Sequence, residues 1–137
     1  MTAPASAPAL RIFAGTTEGR LLCEWASGAG IPARAYAATE YGGELLGELP
    51  GIEVHAGRLD EADMERELFG ARIVVDATHP FAAGITRNAA LACAAAGVRL
   101  LRVDRPGWAK HPHADRWAWV DSHAAAASTV VALGSRR

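Results

Sequence analysis

Three polar side chains that could take part in chemistry, Asp76, Thr78 and His79, directly follow a short apolar run in the middle of the chain. That run, residues 73–75, is rich in β-branched residues and too brief for a helix, so it predicts a strand buried on both faces of a parallel sheet. We expect Pro80 to open the next helix, with Thr78 or His79 as its cap. Open α/β sheets bind ligands at the carboxyl ends of their strands, so these residues form a candidate site.

A second candidate site follows the first predicted strand, residues 10–14, where the chain reads G-T-T-E-G-R and then shows apolar residues at helical spacing. Strand, glycine turn and helix in this order form the phosphate-binding corner of nucleotide folds. Gly15 permits close backbone approach, and free N–H groups at a helix start point toward an anion. Only Gly15 and Gly19 of the G-x-G-x-x-G fingerprint are present, so an ordinary strand-to-helix turn is the alternative.

The second predicted strand, residues 33–38, ends in front of Thr39 and Glu40. In dinucleotide folds the tip of this strand meets the adenosine ribose, where an acid binds a free 2′-hydroxyl and a 2′-phosphate prefers hydroxyl or basic neighbours. Thr39 at the tip and Glu40 after it leave NADPH and NADH both open. The alternative is a loop in which Gly42 and Gly43 supply turn geometry.

The remaining elements continue the alternation of strands and helices, which predicts parallel pairing through right-handed crossovers. The fold class is therefore α/β, an open doubly wound, Rossmann-like parallel sheet with helices on both faces. The further predicted strands are at 52–55, 98–103 and 117–120, and the further helices are at 61–69 after the cap Asp60, at 81–96, and at 123–133 after the cap Ser122.

Composition excludes several classes of protein. A length of 137 residues suits one domain, residues 9–137, after a flexible lead-in at 1–8. A hydrophobic content of 50% and a formal net charge of -1 indicate neither disorder nor nucleic-acid binding, and no apolar run is long enough to span a membrane. Cys23 and Cys93 lack metal-ligand spacing, so we expect no metal site and two small buried thiols in a reducing cytoplasm.

Six short motifs together resemble the amino-terminal half of the precorrin-6A reductases, a family of cobalamin-pathway enzymes. The most specific of them is V-D-A-T-H-P-F-A at residues 75–82. The others, in the family's order, are F-A-G-T-T-E-G-R at 13–20, A-T-E-Y-G at 38–42, G-R-L-D at 57–60, T-R-N-A at 86–89 and R-P-G-W at 105–108.

The resemblance implies an oxidoreductase that takes hydride from NADPH and reduces one double bond of precorrin-6A to give precorrin-6B. A related branch acts on cobalt-precorrin-6A and is associated with NADH. The resemblance assigns Gly15, Thr16, Thr17 and Arg20 to the cofactor phosphates, Thr39, Glu40 and Tyr41 to the adenosine end, and Asp76, Thr78, His79 and Pro80 to the nicotinamide and the substrate.

Catalysis and substrate binding follow from the same resemblance. The predicted catalytic residues are His79 and Asp76. The reduction also needs a proton, and His79 is the candidate donor, because imidazole exchanges protons near neutral pH. A helix cap packed beside Pro80 is its alternative role. The carboxylates of a precorrin would pair with basic side chains, for which the candidates are Arg58, Arg87, Arg105 and Lys110.

The family normally continues into a second α/β half, which would begin near residue 134. The chain is therefore expected to be the cofactor-binding half, either a fragment, a natural truncation or a module that needs a separate second half. Two other interpretations stay open: a non-catalytic NAD(P)-binding module, and another enzyme on the same fold. A short-chain dehydrogenase would need a Tyr-x-x-x-Lys pair, and neither Tyr36 nor Tyr41 has a Lys four residues later.

Overall fold

A computed structural model describes residues 7–105 and 111–134. Most of the predicted lead-in at 1–8 and the candidate Lys110 lie outside these residues. The chain divides into two compact units, Met1–Asp104 and Arg105–Arg137, which are described separately below.

The first unit alternates strands and helices. Its strands pair in parallel in the order β3-β2-β1-β4-β5, which confirms the predicted doubly wound α/β fold. The elements are β1 (Leu10–Phe13), α1 (Thr17–Gly28), β2 (Ala33–Ala37), α2 (Glu40–Leu46), β3 (Ile52–Ala56), α3 (Glu61–Leu68), β4 (Ile73–Asp76), α4 (Ala83–Ala96) and β5 (Arg99–Arg102).

The sheet is covered on both faces because successive strand residues point to opposite sides. Phe13 packs with residues of α3 and α4, among them Leu68 and Cys93. Its neighbour Ile12 packs on the other face with Cys23 of α1 and Leu46 of α2. Because all five strands run parallel, their carboxyl ends lie together along one edge of this covered sheet.

Gly42 and Gly43, for which a loop was one interpretation of the sequence, lie within helix α2. The Thr39 hydroxyl caps it by accepting a hydrogen bond from the Gly42 N–H at 3.0 Å. Gly43 faces the sheet, since a Cβ there would stand 3.1 Å from the Ala56 Cβ. The glycines therefore let a short helix lie close on the sheet and do not form a turn.

Helix α4 begins later than the sequence predicts, and the predicted cap is wrong. Its cap position is Ala82, which makes no side-chain cap hydrogen bond. Pro80 lies in a turn closed by the Ala82 N–H, which donates to the His79 carbonyl at 2.8 Å. The Thr78 hydroxyl bonds to Asp76 instead of capping the helix.

The second unit contains a short 3-10 helix, Ala114–Arg116, and a helix α5, His123–Ala132. Ser122 caps α5 as predicted, accepting from the Ala125 N–H at 3.1 Å. The prediction of a strand at 117–120 is wrong, since these residues are irregular. The indoles make local contacts instead: Trp117 stacks on His111 with ring centroids 4.8 Å apart, and the Trp119 Nε1–H donates to the Ala114 carbonyl at 3.3 Å.

Candidate functional site

A cavity of about 690 Å³ lies at the carboxyl edge of the sheet in the first unit. The residues that follow β1, β2, β3 and β4 line it, together with the first turns of α4. Its volume falls within the roughly 300–1,000 Å³ that is usual for organic ligands and cofactors. The cavity thus stands where an open α/β sheet binds its ligand.

The corner between β1 and α1 forms one wall of this cavity. Gly15 has a φ of +124°, and a Cβ built there would meet no atom within 4 Å, so the backbone lies open to the cavity. Gly19 plays a different part, because a Cβ on it would stand only 2.8 Å from the Ala14 Cα. One glycine therefore opens the turn and the other lets α1 approach β1 closely.

Thr16 ties this corner to the neighbouring strand. Its hydroxyl accepts from the Gly19 N–H at 3.1 Å, which caps α1, and donates to the Ala77 carbonyl at 2.7 Å. The hydroxyl proton is thereby committed to the protein. Thr17 is exposed at the first position of α1, and Arg20 forms an ion pair with Glu24. Of the four residues predicted for the phosphate corner, only Gly15 lines the cavity.

Asp76 lies at the end of β4, with only 1% of its surface exposed. Its Oδ1 accepts from the Thr78 N–H at 3.0 Å and from the Thr78 hydroxyl at 2.6 Å. Its Oδ2 accepts from the Thr86 hydroxyl at 2.7 Å, and Arg102 Nη1 lies 2.8 Å from Oδ1. This network joins the ends of β4 and β5 to α4 and fixes the loop that leads to His79.

The pKa of Asp76 lies below its ordinary value. Burial alone raises this pKa, but hydrogen bonds from Thr78 and Thr86 and the positive charge of Arg102 lower it further than burial raises it. Asp76 is therefore an ionised, fully hydrogen-bonded group beneath the cavity wall. Its two hydrogen bonds with Thr78 hold the start of the following loop against the end of β4.

His79 lines the cavity with an exposed side chain. Its Nδ1 accepts a hydrogen bond from the Phe81 N–H at 3.3 Å, and the two rings lie 5.2 Å apart. Because Nδ1 accepts, a neutral His79 carries its proton on Nε2. Thr78, by contrast, is buried and also lines the cavity, while Pro80 is exposed and is not part of the lining.

The opposite end of the cavity lies beyond β2 and β3. Thr39, Tyr41 and Arg58 all line it there. Glu40 does not; it lines a separate groove with Glu44 and Glu48 on another side of α2. The sequence grouped Thr39, Glu40 and Tyr41 together, and the helical turn of α2 separates the carboxylate from the other two.

The other predicted substrate contacts are dispersed. Arg87 is exposed on α4 outside the cavity lining, Arg105 belongs to the second unit, and Lys110 lies outside the described residues. The sequence interpretation missed Asn88, which lines the cavity, and Arg102, which pairs with Asp76. Asn88 belongs to the T-R-N-A motif, whereas nothing local in the sequence sets Arg102 apart.

Neither a metal site nor a membrane segment is visible in the part of the chain that the structure describes. Within residues 7–105 and 111–134, no three His, Cys, Asp or Glu side chains are grouped so that they could hold a metal ion. None of the helices in the same ranges is long and apolar enough to cross a membrane. The buried free thiols Cys23 and Cys93 agree with the sequence interpretation.

Comparison with known proteins gives consistent results. A precorrin-6A reductase of Sinorhizobium sp is 37% identical over 134 residues, which are 95% of this chain and 49% of that protein. A cobalt-precorrin-6A reductase of Salmonella typhimurium is 36% identical over 97 residues, which are 69% of this chain and 36% of that protein. A solved structure described as CobK precorrin-6A reductase superposes with a TM-score of 0.73 at 33% identity and covers 87% of this chain and 47% of its own.

The chain thus spans about half the length of the Sinorhizobium relative. Residues 9–137 match the family described as Precorrin-6x reductase CbiJ/CobK, which is nearly the whole sequence. The motif-based resemblance is confirmed by this match and by the shared fold. The chain belongs to the precorrin-6x reductase family.

Proposed function

We propose that this chain is the cofactor-binding half of a reductase that reduces precorrin-6A, or its cobalt-containing form, with NADPH. The observation that carries the proposal is the cavity at the sheet edge, which runs from the open glycine corner at Gly15 to His79. The relatives are named precorrin-6A and cobalt-precorrin-6A reductases, and the chain covers half or less of each relative quoted above. Two buried free thiols suit a reducing cytoplasm.

The β1–α1 corner fits the pyrophosphate of a nicotinamide dinucleotide. The bare backbone at Gly15 lets the phosphates approach, and the first turn of α1 offers N–H groups and the positive end of a helix dipole. Thr16 holds this turn against β4 and donates to Ala77, so in this proposal it positions the corner and does not contact the phosphates. Thr17 and Arg20 remain proposed contacts at the exposed start of α1.

The nicotinamide end of the cofactor would lie at the part of the cavity that Thr78 and His79 line. When bound, the cofactor supplies the hydride, and the protein must hold the substrate and deliver a proton. His79 lines this end of the cavity and would donate that proton as an imidazolium, in which Nδ1 also carries a proton and no longer accepts from the Phe81 N–H. Asp76 supports this geometry from below, through Thr78 and Thr86.

The substrate would lie over the β4 end, where its carboxylates could pair with basic side chains. Arg87 and Arg105 are exposed and stay proposed contacts, as does Lys110. A macrocycle of this breadth would need a second surface opposite the cavity. We propose that a second α/β half, as in the longer relatives, supplies it.

The first test is a titration of this chain with NADPH and with NADH, followed by the cofactor's fluorescence. We expect NADPH to bind and a Gly15→Val variant, which fills the open corner, to lose binding. A chain that binds neither dinucleotide contradicts the proposal.

Turnover separates a reductase from a non-catalytic NAD(P)-binding module. Precorrin-6A reduction is measured with the carboxyl-terminal half of a relative added to this chain, and again with His79→Ala. We expect His79→Ala to lower turnover by about 10²-fold, as for other general acids, while NADPH affinity stays unchanged. Cofactor binding without any reduction would favour the non-catalytic module.

A further inference from the structure

We infer that Arg58 binds the 2′-phosphate of NADPH and sets the preference for NADPH over NADH. This inference rests on the proposed function and assigns to the cofactor an arginine that the sequence had suggested for the substrate. It also decides between the two cofactors that the residues at the tip of β2 leave open.

The backbone brings Arg58 beside the tip of β2. Ala37 and Ala56 are register partners on the last positions of β2 and β3. One residue further on, the Gly57 N–H donates to the Ala37 carbonyl at 2.8 Å, so the two chains stay adjacent beyond the sheet. Arg58 follows at once, and both Arg58 and Thr39 line the cavity.

The strand order separates Arg58 from the reacting end of the site. β3 lies three strands away from β4 in the order β3-β2-β1-β4-β5, which is about 14 Å at the usual spacing between strands. The phosphate corner after β1 stands between them. A dinucleotide that crosses this corner with its nicotinamide toward His79 therefore has its adenosine toward Thr39 and Arg58.

The guanidinium of Arg58 is available for an anion. Arg20, Arg34, Arg66 and Arg102 each form an ion pair with a carboxylate. Arg58 forms none with the residues that the structure describes, although it is exposed at the cavity wall. A free guanidinium in such a position suits bidentate binding of a phosphate.

The acid that could select NADH is turned away from the cavity. A carboxylate at the tip of β2 would bind the ribose 2′-hydroxyl and repel a 2′-phosphate. Glu40 is the first residue of α2 and lines the separate groove together with Glu44, one helical turn further on, and Glu48, which follows the helix. The cavity side of α2 carries Tyr41 and Leu45 instead. Beside the adenosine ribose stand a hydroxyl and a guanidinium, with no carboxylate of α2.

The test is calorimetric titration of this chain with NADP⁺ and with NAD⁺, for the wild type, Arg58→Gln and Arg58→Lys. We expect Arg58→Gln to weaken NADP⁺ binding by about 10- to 100-fold and NAD⁺ binding by less than about twofold. Arg58→Lys keeps a point charge, so its affinity for NADP⁺ should lie between those of the wild type and Arg58→Gln. Arg72→Gln is the matched control, because Arg72 is exposed and directly precedes β4, at the amino ends of the strands and away from the cavity. It should change neither affinity.

The outcomes distinguish this inference from the proposed function. If both dinucleotides bind and Arg58→Gln changes their affinities equally or not at all, the role of Arg58 is overturned while the cofactor site stands. If wild-type chain binds neither, both proposals fail. Adenosine 2′,5′-bisphosphate and 5′-AMP, titrated in the same way, isolate the adenosine half. A loss of preference for the bisphosphate in Arg58→Gln supports the inference.

Discussion

Arg102 Nη1 lies 2.8 Å from Asp76 Oδ1, and the two residues are register partners on the last positions of β5 and β4. The pair closes the edge of the sheet where the nicotinamide end of the proposed site lies. Only 1% of the Asp76 side chain is exposed, against 24% for Arg102. In place of water, the carboxylate has this cation, two threonine hydroxyls and the Thr78 N–H as its partners.

Replacing Asp76 by Asn should destabilise the protein strongly. The variant loses the ion pair and leaves the partly buried Arg102 guanidinium with only the exposed Asp104 as a carboxylate partner, which should cost up to about 3 kcal/mol in free energy of unfolding. Urea denaturation measures the loss. Asp104→Asn is the matched control, since Asp104 accepts from the same Arg102 at 3.3 Å but is 76% exposed, and its loss should cost less than about 1 kcal/mol. Equal effects of the two changes would contradict the buried network.

The same carboxylate should make stability depend on acid pH. Because the pKa of Asp76 is lowered in the folded protein, the folded state binds this proton less readily than the unfolded state. The stabilisation is complete above the ordinary pKa of an aspartate and is lost as the pH falls through the folded pKa. We expect the free energy of unfolding to fall below about pH 5, and to fall less steeply in Asp76→Asn. Parallel curves for the two proteins would contradict this linkage.

Short-range patterns were sufficient to predict the sheet and most helices, because strand burial, caps such as Asp60 and helical spacing are local. Long-range relationships were not predictable in the same way. Arg102 pairs with Asp76 across 26 positions of sequence, and this pairing follows from sheet register alone. The late start of α4 has a related cause: the Thr78 hydroxyl, which could have capped a helix, donates to Asp76 instead.

The two threonines of the glycine corner should behave differently when each is changed to Val. Thr16→Val removes the cap on the Gly19 N–H and the bond to Ala77, so it should lower the free energy of unfolding by about 1–2 kcal/mol. Thr17→Val alters an exposed β-branched position and should change it by less than about 0.5 kcal/mol. Thermal unfolding compares the two variants. If Thr16→Val were as stable as Thr17→Val, the hydrogen bonds of Thr16 to Gly19 and Ala77 would not stabilise the protein as expected.

Both cysteines should resist thiol reagents in the folded protein. Burial, aided by the charge of Glu24, raises the pKa of Cys23 to about 11, and burial also raises the pKa of Cys93. The reactive form is the thiolate, so Ellman's reagent at pH 8 should react slowly with both until guanidinium unfolds the chain. Cys23→Ser and Cys93→Ser variants assign any reaction to one thiol. Fast labelling of the native protein would contradict this burial.

Two glycines of α1 provide a matched test of how closely the helix approaches β1. A Cβ on Gly19 would stand 2.8 Å from the Ala14 Cα, a backbone atom that cannot move alone. Gly19→Ala should therefore lower the free energy of unfolding by about 1–3 kcal/mol, as overpacking usually does. Gly28 is the last residue of the same helix, and a Cβ built on it would meet no atom of another element within 4 Å. Gly28→Ala should therefore raise the free energy of unfolding by up to about 1 kcal/mol. Urea denaturation of the two variants gives the comparison.

Because α1 must move outward to admit the Gly19 methyl, its N-terminus should leave the Gly15 corner, and Gly19→Ala should also weaken NADPH binding. A stable Gly19→Ala protein with unchanged NADPH affinity would show that the corner does not need this close approach.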